Sequence, residues 1–304
     1  MILVTGANGR PGSAVVREFA RHNRPVRALV RDPEKAEALR ALPGVEVVYG
    51  DMLQPETLEP ALTGVSRVLM ISGAGPQMLE TQCTFIDAAR AAGVGHIVKF
   101  SGKDSVTGFD PERFRSSRSH EQIQRYLLAS GTAWTVLRPS QFMDVYFEEV
   151  PDLVASGELR LPLGVTTLAP IDIEDIAKIA YSVLTTDGHE YTTYPMTGPE
   201  ALTMTEVAER LSVVTGRTIR YRDVTSAEKQ AAWLAAGYPP ARASAFAQLF
   251  EERSRLGESS VDLGAHRRFG IEPTSFLEFA RRNAAVFRGE ARYGVTPGIA
   301  ATLA

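Results

Sequence analysis

Three glycines at a spacing of three, Gly6, Gly9 and Gly12, follow directly on the apolar run Met1-Ile-Leu-Val-Thr5 and lead into a segment with helical periodicity. A strand, a turn and a helix in that order are the setting in which a glycine triplet binds a dinucleotide. The first glycine makes a tight exit from the strand. The second lets the backbone approach a pyrophosphate, and the third lets the helix pack closely on the strand. Free N–H groups at the helix start then point at phosphate oxygens. The spacing is G-x-x-G-x-x-G, and Asn8, Arg10 and Pro11 fill the turn. The bare alternative is a glycine-rich turn that holds nothing. Arg31 ends the second expected strand, where the adenine ribose of such a cofactor lies. An acidic residue there accepts from a ribose 2′-hydroxyl, whereas arginine suits a 2′-phosphate. Arg10 is the candidate for a second cation on that phosphate, so NADPH is expected over NADH. The alternative makes both ordinary surface arginines. Asp32 reads as the N-cap of a helix starting at Pro33. Ser72 and Gly73 close the fourth strand, where backbone groups line the ribose and pyrophosphate path, unless Gly73-Ala-Gly-Pro76 is simply a loop.

The elements that position these residues alternate along the chain. Strands are expected at 1–5, 25–31, 45–49, 67–72, 96–101 and 133–137, and helices at 12–22, 33–41, 55–62, 77–92 and 117–130. Asp32-Pro33 and Gln54-Pro55 start helices, while Gly93 and Gly131 end them. His96-Ile-Val-Lys-Phe100 is too apolar for a half-solvated strand, which fits a parallel sheet covered on both faces. Right-handed βα units give a doubly wound α/β Rossmann sheet. Beyond Leu137 the rhythm changes: a helix is expected at 142–154, short strands at 158–163 and 218–224, and a late strand at 190–197 that returns to the main sheet. A helix starts within Ala169-Pro-Ile-Asp172-Ile-Glu-Asp175-Ile-Ala177 and runs to about 184, and others follow at 202–215, 227–236, 240–255 and within 262–287. Residues 1–155 are thus expected to form the dinucleotide-binding domain and 156–288 a smaller, mostly helical, discontinuous substrate lobe. Residues 289–304 lack a periodic pattern and read as a loosely held tail. Ligands bind outside the carboxyl ends of the strands, and a lobe placed there forms the other wall of a cleft.

Bulk properties narrow the class. The 304 residues are 44% hydrophobic and 23% charged, which suits a globular chain. A formal charge of −3 without a long basic run argues against a nucleic-acid surface. Cys83 is the only cysteine, so an intrachain disulfide is impossible, and its apolar-periodic surroundings make it a buried structural thiol. The first strand starts at Met1 with no signal peptide before it, and no apolar run reaches membrane-spanning length, so a cytoplasmic location without membrane contact is expected. The five histidines form no H-x-x-x-H arrangement, no metal site is expected, and no G-x-S-x-G elbow appears.

Several motifs carry a family resemblance. Val4-Thr5-Gly6-Ala7-Asn8-Gly9-Arg10-Pro11-Gly12 resembles the TGxxGxxG turn of the short-chain dehydrogenase/reductase superfamily. Arg118-Ser-His120-Glu-Gln-Ile123-Gln124, Ala129-Ser-Gly131 and Leu137-Arg138-Pro139-Ser140-Gln141-Phe142-Met143 look like its atypical, NmrA-like branch. Thr197-Gly-Pro-Glu200-Ala-Leu-Thr203, Thr215-Gly-Arg-Thr-Ile-Arg-Tyr221, Gly270 and Ser275-Phe-Leu-Glu-Phe279-Ala extend the match to about Phe287. The branch includes NAD(P)H-dependent quinone and dye reductases and redox-sensing regulators. Two positions depart from it: Gln124 stands where Glu is usual, and Val145 where Asn is frequent. By the family pattern Asp51 accepts from the adenine amino group and Met52 packs on the ring, the alternative for Asp51 being an N-cap of the helix at 55–62.

The superfamily's usual proton donor is missing. A Ser at the end of the fifth strand normally works with Tyr-x-x-x-Lys, the Tyr protonating a carbonyl. Ser101 holds the strand-end position. Phe114 stands thirteen residues on, with Arg118 four further, and no Tyr in the chain has Lys at the fourth following position. Hydride transfer to a quinone or another conjugated acceptor needs only a weak donor, so proximity and orientation carry the catalysis. Candidate helpers are Ser101, Lys103 and His120. Lys103 reads equally as a solvated loop lysine, and His120 as an exposed helix histidine. The resemblance places Pro139, Gln141, Phe142 and Met143 beside the nicotinamide and the acceptor, although an aromatic and Met wall also suits any core. The first expectation is an oxidoreductase that passes hydride from NADPH to a quinone-like or conjugated small molecule. The others are an NADP(H)-holding sensor without turnover, and a biosynthetic enzyme that reuses the fold for non-reductive chemistry.

Overall fold

A computed structural model describes residues 1–102, 109–110, 112–257 and 259–293. Seven parallel strands form the main sheet in the order β3-β2-β1-β4-β5-β6-β8. They are β1 Ile2–Val4, β2 Val26–Val30, β3 Val45–Tyr49, β4 Arg67–Met70, β5 His96–Phe100, β6 Ala133–Pro139 and β8 Thr192–Met196. The order reverses between β1 and β4, as a doubly wound sheet requires. The late strand returns to the sheet as expected and lies in register along β6, with Thr135 opposite Thr192 and Pro139 opposite Met196.

Helices cover both faces, which is why the inner strands are largely apolar. On one face α1 (Arg10–Arg21) packs against α7 (Ile173–Thr185), with Phe19, Ile176 and Val183 fully buried over Val4, Val98 and Leu137. On the other face α3 (Pro55–Leu62), α4 (Met78–Ala91) and α5 (Arg115–Ala129) enclose Leu3, Met70, Phe85, Ile97 and Ile123. Beyond β6 the chain builds a second core around Tyr146, Leu159, Leu211 and Phe276. That lobe holds α6 (Val150–Ser156), β7 (Glu158–Leu161) paired in parallel with β9 (Arg220–Asp223), α8 (Met204–Thr215), α9 (Ser226–Ala235) and α10 (Pro240–Leu256), closed by α12 (Phe276–Arg282) and α13 (Ala284–Phe287). The six-residue α11 (Gly264–Phe269) packs instead on β8 and α7.

Two expected helices differ. Residues 33–41 form a 3₁₀ turn, Pro33–Ala36, and only four residues of α-helix, α2 Glu37–Arg40. The core-facing side chains there are Ala36 and Leu39, three apart, a spacing that 3₁₀ winding superimposes. Residues 142–154 also divide, into a 3₁₀ stretch Met143–Glu149 followed by α6. Pro151 cannot donate to the Phe147 carbonyl and its ring would collide with it, so the α-helix restarts with Pro151 in its first turn; the Val150 N–H takes the Phe147 carbonyl instead. The described end of the tail is packed: Tyr293 stacks on Phe147 with ring centres 4.1 Å apart and donates to Asp144. The rest of it, residues 294–304, lies outside the described residues.

Candidate active site

Thr5 fixes the end of β1. Its hydroxyl donates to the Ile71 carbonyl (2.6 Å) and accepts from the Ile71 N–H (2.8 Å), so the ends of β1 and β4 are tied together. Gly6 then turns with φ +57°, and a Cβ there would lie 2.9 Å from the Ile71 carbonyl oxygen. The Gly9 N–H donates back to Gly6 (2.8 Å), and a Cβ at Gly12 would overlap the Gly6 carbonyl. Each glycine is therefore required by a close backbone approach. The half-buried Asn8 and Pro11 complete the turn. At the start of α1, Gly9 is the N-cap without a side-chain bond, no acidic residue sits in the first turn, and the Arg10 and Gly12 N–H groups have no partner among the described residues. This is an anion cradle in charge and shape, and it fits a pyrophosphate.

The parallel sheet brings the other expected residues to the same edge. Read across the strand ends, the order is Asp51, Arg31, the glycine turn, Ser72 with Gly73, Ser101, and Pro139. Six strand ends span roughly 24 Å at about 4.8 Å per step, a row suited to an extended dinucleotide. Arg31 lies one residue past β2, exposed, without an ion pair among the described residues. Asp32 caps the Glu34 N–H (3.1 Å), as expected. The Asp51 carboxylate accepts from the Leu53 N–H (3.0 Å) and so caps its own turn; Gln54, not Asp51, is the N-cap of α3. Met52 is buried in the core beneath it. Arg10, expected on the 2′-phosphate, is held by the lobe instead. Its guanidinium lies 3.0 Å from Glu148 Oε1 and over the Tyr293 ring. Glu148 also accepts from Tyr238 and pairs with Arg242, so its charge draws Arg10 away from β2.

The far end of the row is lined by side chains. Ser101 is buried at the end of β5, and its hydroxyl has no partner among the described residues. Pro139 is buried at the end of β6, Phe142 meets Phe100 edge-on (6.1 Å), and Gln141 accepts from Arg253 of α10. Met143 is enclosed in the lobe's core and shows no surface to the cleft. Lys103 lies outside the described residues. His120, on α5, is half-buried, not exposed, and its Nδ1 is 3.1 Å from Nζ of Lys99. Phe114, at the position of the absent tyrosine, is the N-cap of α5 and packs on Phe109. Of the two unusual positions, Gln124 accepts from Arg138 (2.7 Å), and Val145 packs against the lobe core.

Lys99 was not anticipated. It is fully buried on the α4 and α5 side of β5, and burial, with the charge of Arg138, pushes its pKa down to about 7. Two signals in the sequence mark it: a lysine inside a strand otherwise built for burial, and Gln82 interrupting the apolar stripe of Met78, Phe85, Ile86 and Ala89 on α4. A cavity of about 440 Å³ lies elsewhere, between α1, α7 and α12; its cations Arg17, Arg21 and Arg282 are already ion-paired with Glu174 and Asp172.

Sequence and fold both match one set of proteins. The chain belongs to the NmrA-like family. The family profile covers residues 1–280. This NmrA-like chain is 36% identical to the NAD(P)H azoreductase of Xenophilus azovorans over 288 residues, 94% of this chain and 99% of that one. It superposes on the NADPH complex of an NADPH-dependent quinone oxidoreductase from Escherichia coli with a TM-score of 0.84 and 28% identity, covering 93% and 99% of the two chains. The Citrobacter sp. triphenylmethane reductase complexed with NADP(H) gives a TM-score of 0.84 at 28% identity, covering 93% and 100%. Among the described residues no helix is long and apolar enough to cross a membrane, and no three His, Cys, Asp or Glu form a metal-binding group.

Proposed function

We propose that this NmrA-like chain is an NADPH-dependent reductase of quinone-like or otherwise conjugated small molecules, dyes among them. The observation that carries the reading is the row of strand ends, with a backbone anion cradle at the switch point and, at the adenine end, an exposed arginine without an ion pair among the described residues. The named activities and bound nucleotides of the related azoreductase, quinone oxidoreductase and triphenylmethane reductase support it. Backbone of the glycine turn holds the pyrophosphate, Arg31 takes the 2′-phosphate, and Ser72, Ser101 and Pro139 border the nicotinamide end. The bound dinucleotide supplies hydride. The protein's part is to hold donor and acceptor together and shield them, with Gln141, Phe142 and the lobe as the opposite wall. In this reading residues 1–139 with α7, β8 and α11 are the nucleotide domain, and the other elements from Met143 to residue 288 the acceptor lobe.

The test is to mix purified protein with NADPH or NADH and a panel of quinones, enones, azo dyes and triphenylmethane dyes, following nucleotide absorbance. Turnover that is faster with NADPH is expected. Tight NADPH binding with no oxidation would replace this reading with a sensor, and no nucleotide affinity would remove both.

A further inference from the structure

Under the nicotinamide end of the row, one polar cluster interrupts an apolar sheet. Lys99 donates from Nζ to Gln82 Oε1 (3.2 Å) and to the Phe100 carbonyl (3.3 Å), and it faces Nδ1 of His120 at 3.1 Å. Gln82 in turn donates from Nε2 to the Ser72 hydroxyl (2.8 Å), so the cluster is anchored to the strand-end row. Two of the three lysine contacts are to acceptors only. The third can run either way. An ammonium has three donors and no acceptor, so it donates to Nδ1 and leaves the ring hydrogen on Nε2. A neutral amine keeps two hydrogens for Gln82 and Phe100 and turns its lone pair to the ring, which then carries its hydrogen on Nδ1. The two states differ by one proton, and the difference appears at Nε2, which makes no hydrogen bond among the described residues.

We propose that Lys99 stores a proton and His120 delivers it from Nε2 to the reduced acceptor, in place of the absent Tyr-x-x-x-Lys donor. The proposal rests on the reductase reading above. A quinone that has gained a hydride is a hydroquinone monoanion. It takes the Nε2 proton and becomes the hydroquinone, Nδ1 takes a proton from Nζ, and Lys99 is left as the neutral amine. Solvent returns that proton after the product leaves, and no electrons pass through the pair.

The surroundings suit this exchange. Burial, then the positive Arg138 on β6, lowers Lys99 to about 7, and Cys83 of α4 opposes the shift weakly. Burial and Lys99 hold His120 well below its ordinary range, so the ring stays neutral and passes protons without storing one. β4 contributes Met70 beside Lys99 and no charge. α5 contributes Ser117, whose buried hydroxyl has no partner, and Glu121, which acts on Arg138. Arg138 is bonded to neutral Gln124, so its field on Lys99 is not cancelled there. A glutamate at position 124 would cancel it.

Two readouts test the relay on the full-length protein. Nitrogen-resolved NMR of the histidine rings, without nucleotide, reads the His120 tautomer, with His120→Gln assigning its signal. The native ring is expected to pass from Nε2–H to Nδ1–H as pH rises through about 7. Turnover of 1,4-naphthoquinone with NADPH should fall over the same range. Lys99→Met should freeze the tautomer, remove that limb of the kcat profile and lower kcat by about a hundredfold. Gln124→Glu, which puts a carboxylate on Arg138, should move both transitions upward together. A native tautomer indifferent to pH, a Lys99→Met profile that keeps its limb, or a Gln124→Glu profile that does not move would each overturn the relay while turnover leaves the reductase reading intact. Failure of the native protein to reduce any acceptor would overturn the reading, and the relay with it.

Discussion

The two ends of the cleft are built in opposite ways. The proposed phosphate end is made of backbone, within the span from Thr5 to Gly12, with Gly12 closing on Gly6 and the turn seated on Ile71 at the end of β4. The proposed acceptor end is made of side chains drawn from α4, β5, α5 and the lobe: Gln82, Lys99, His120 and Gln141 with Arg253. A main-chain site of this kind has little room for change in its small residues and leans on one neighbouring strand end, that of β4. A site gathered from distant elements exists only once the sheet has ordered them, and its chemistry is tuned by charges such as Arg138 that never touch a ligand.

The contrast can be broken most severely at the turn. Gly12→Ala places a methyl group on the Gly6 carbonyl, and NADPH affinity should fall by about a thousandfold, on the order of 4 kcal/mol. Gly9→Ala, whose Cβ would sit 3.1 Å from the same oxygen, is the milder partner that keeps the fold. Fluorescence titration of both, beside their thermal unfolding, checks this; near-native binding by Gly12→Ala would show that the turn is no cradle. The next effect belongs to the other end and has the opposite sign. Lys99 sits at about 7 in the folded protein, below the usual value of about 10.4. Between those values the unfolded chain keeps a proton that the native chain has shed, so this group makes stability rise with pH across that window. Lys99→Met should therefore stabilise the protein most at or below neutral pH, by about 3 kcal/mol once the lost hydrogen bonds to Gln82 and Phe100, about 1–2 kcal/mol, are set against the roughly 4–5 kcal/mol of the shift, and flatten the slope. Denaturant unfolding of both proteins from pH 6 to about 10 measures the difference; parallel slopes would mean that Lys99 is not desolvated. The smallest effect sharpens the adenine end. Arg31→Ala should weaken NADPH about tenfold and leave NADH unchanged, the value of one charge-assisted contact at an exposed site. Equal losses for both nucleotides would move the 2′-phosphate elsewhere.

What was legible in the sequence follows the same division. The glycine turn, the parallel sheet and even the return of residues 190–197 to it could be read from periodicity and punctuation, because each depends on neighbours in the chain. The helix expected at 33–41 divided into a 3₁₀ turn and a single α-helical turn, with Ala36 and Leu39 facing the core. The one expected at 142–154 divided at Pro151. Arg10 was expected on the nucleotide because it lies in the turn; that Glu148 captures it depends on a lobe residue far along the chain. Lys99 looked like part of a buried strand, and so it is. Its chemistry comes from Gln82 and His120, whose approach no spacing rule encodes.

The seventh strand carries a consequence for synthesis. A ribosome releases six strands of the sheet well before Thr192–Met196 emerges, with α6, β7 and α7 in between. During that interval the outer edge of β6, from Thr135 to Pro139, displays unpaired amides and carbonyls to any extended peptide nearby. A nascent chain stalled before Thr192 is thus a sticky intermediate, and the capping of β6 by β8 is the step that makes the newborn protein safe from its own copies.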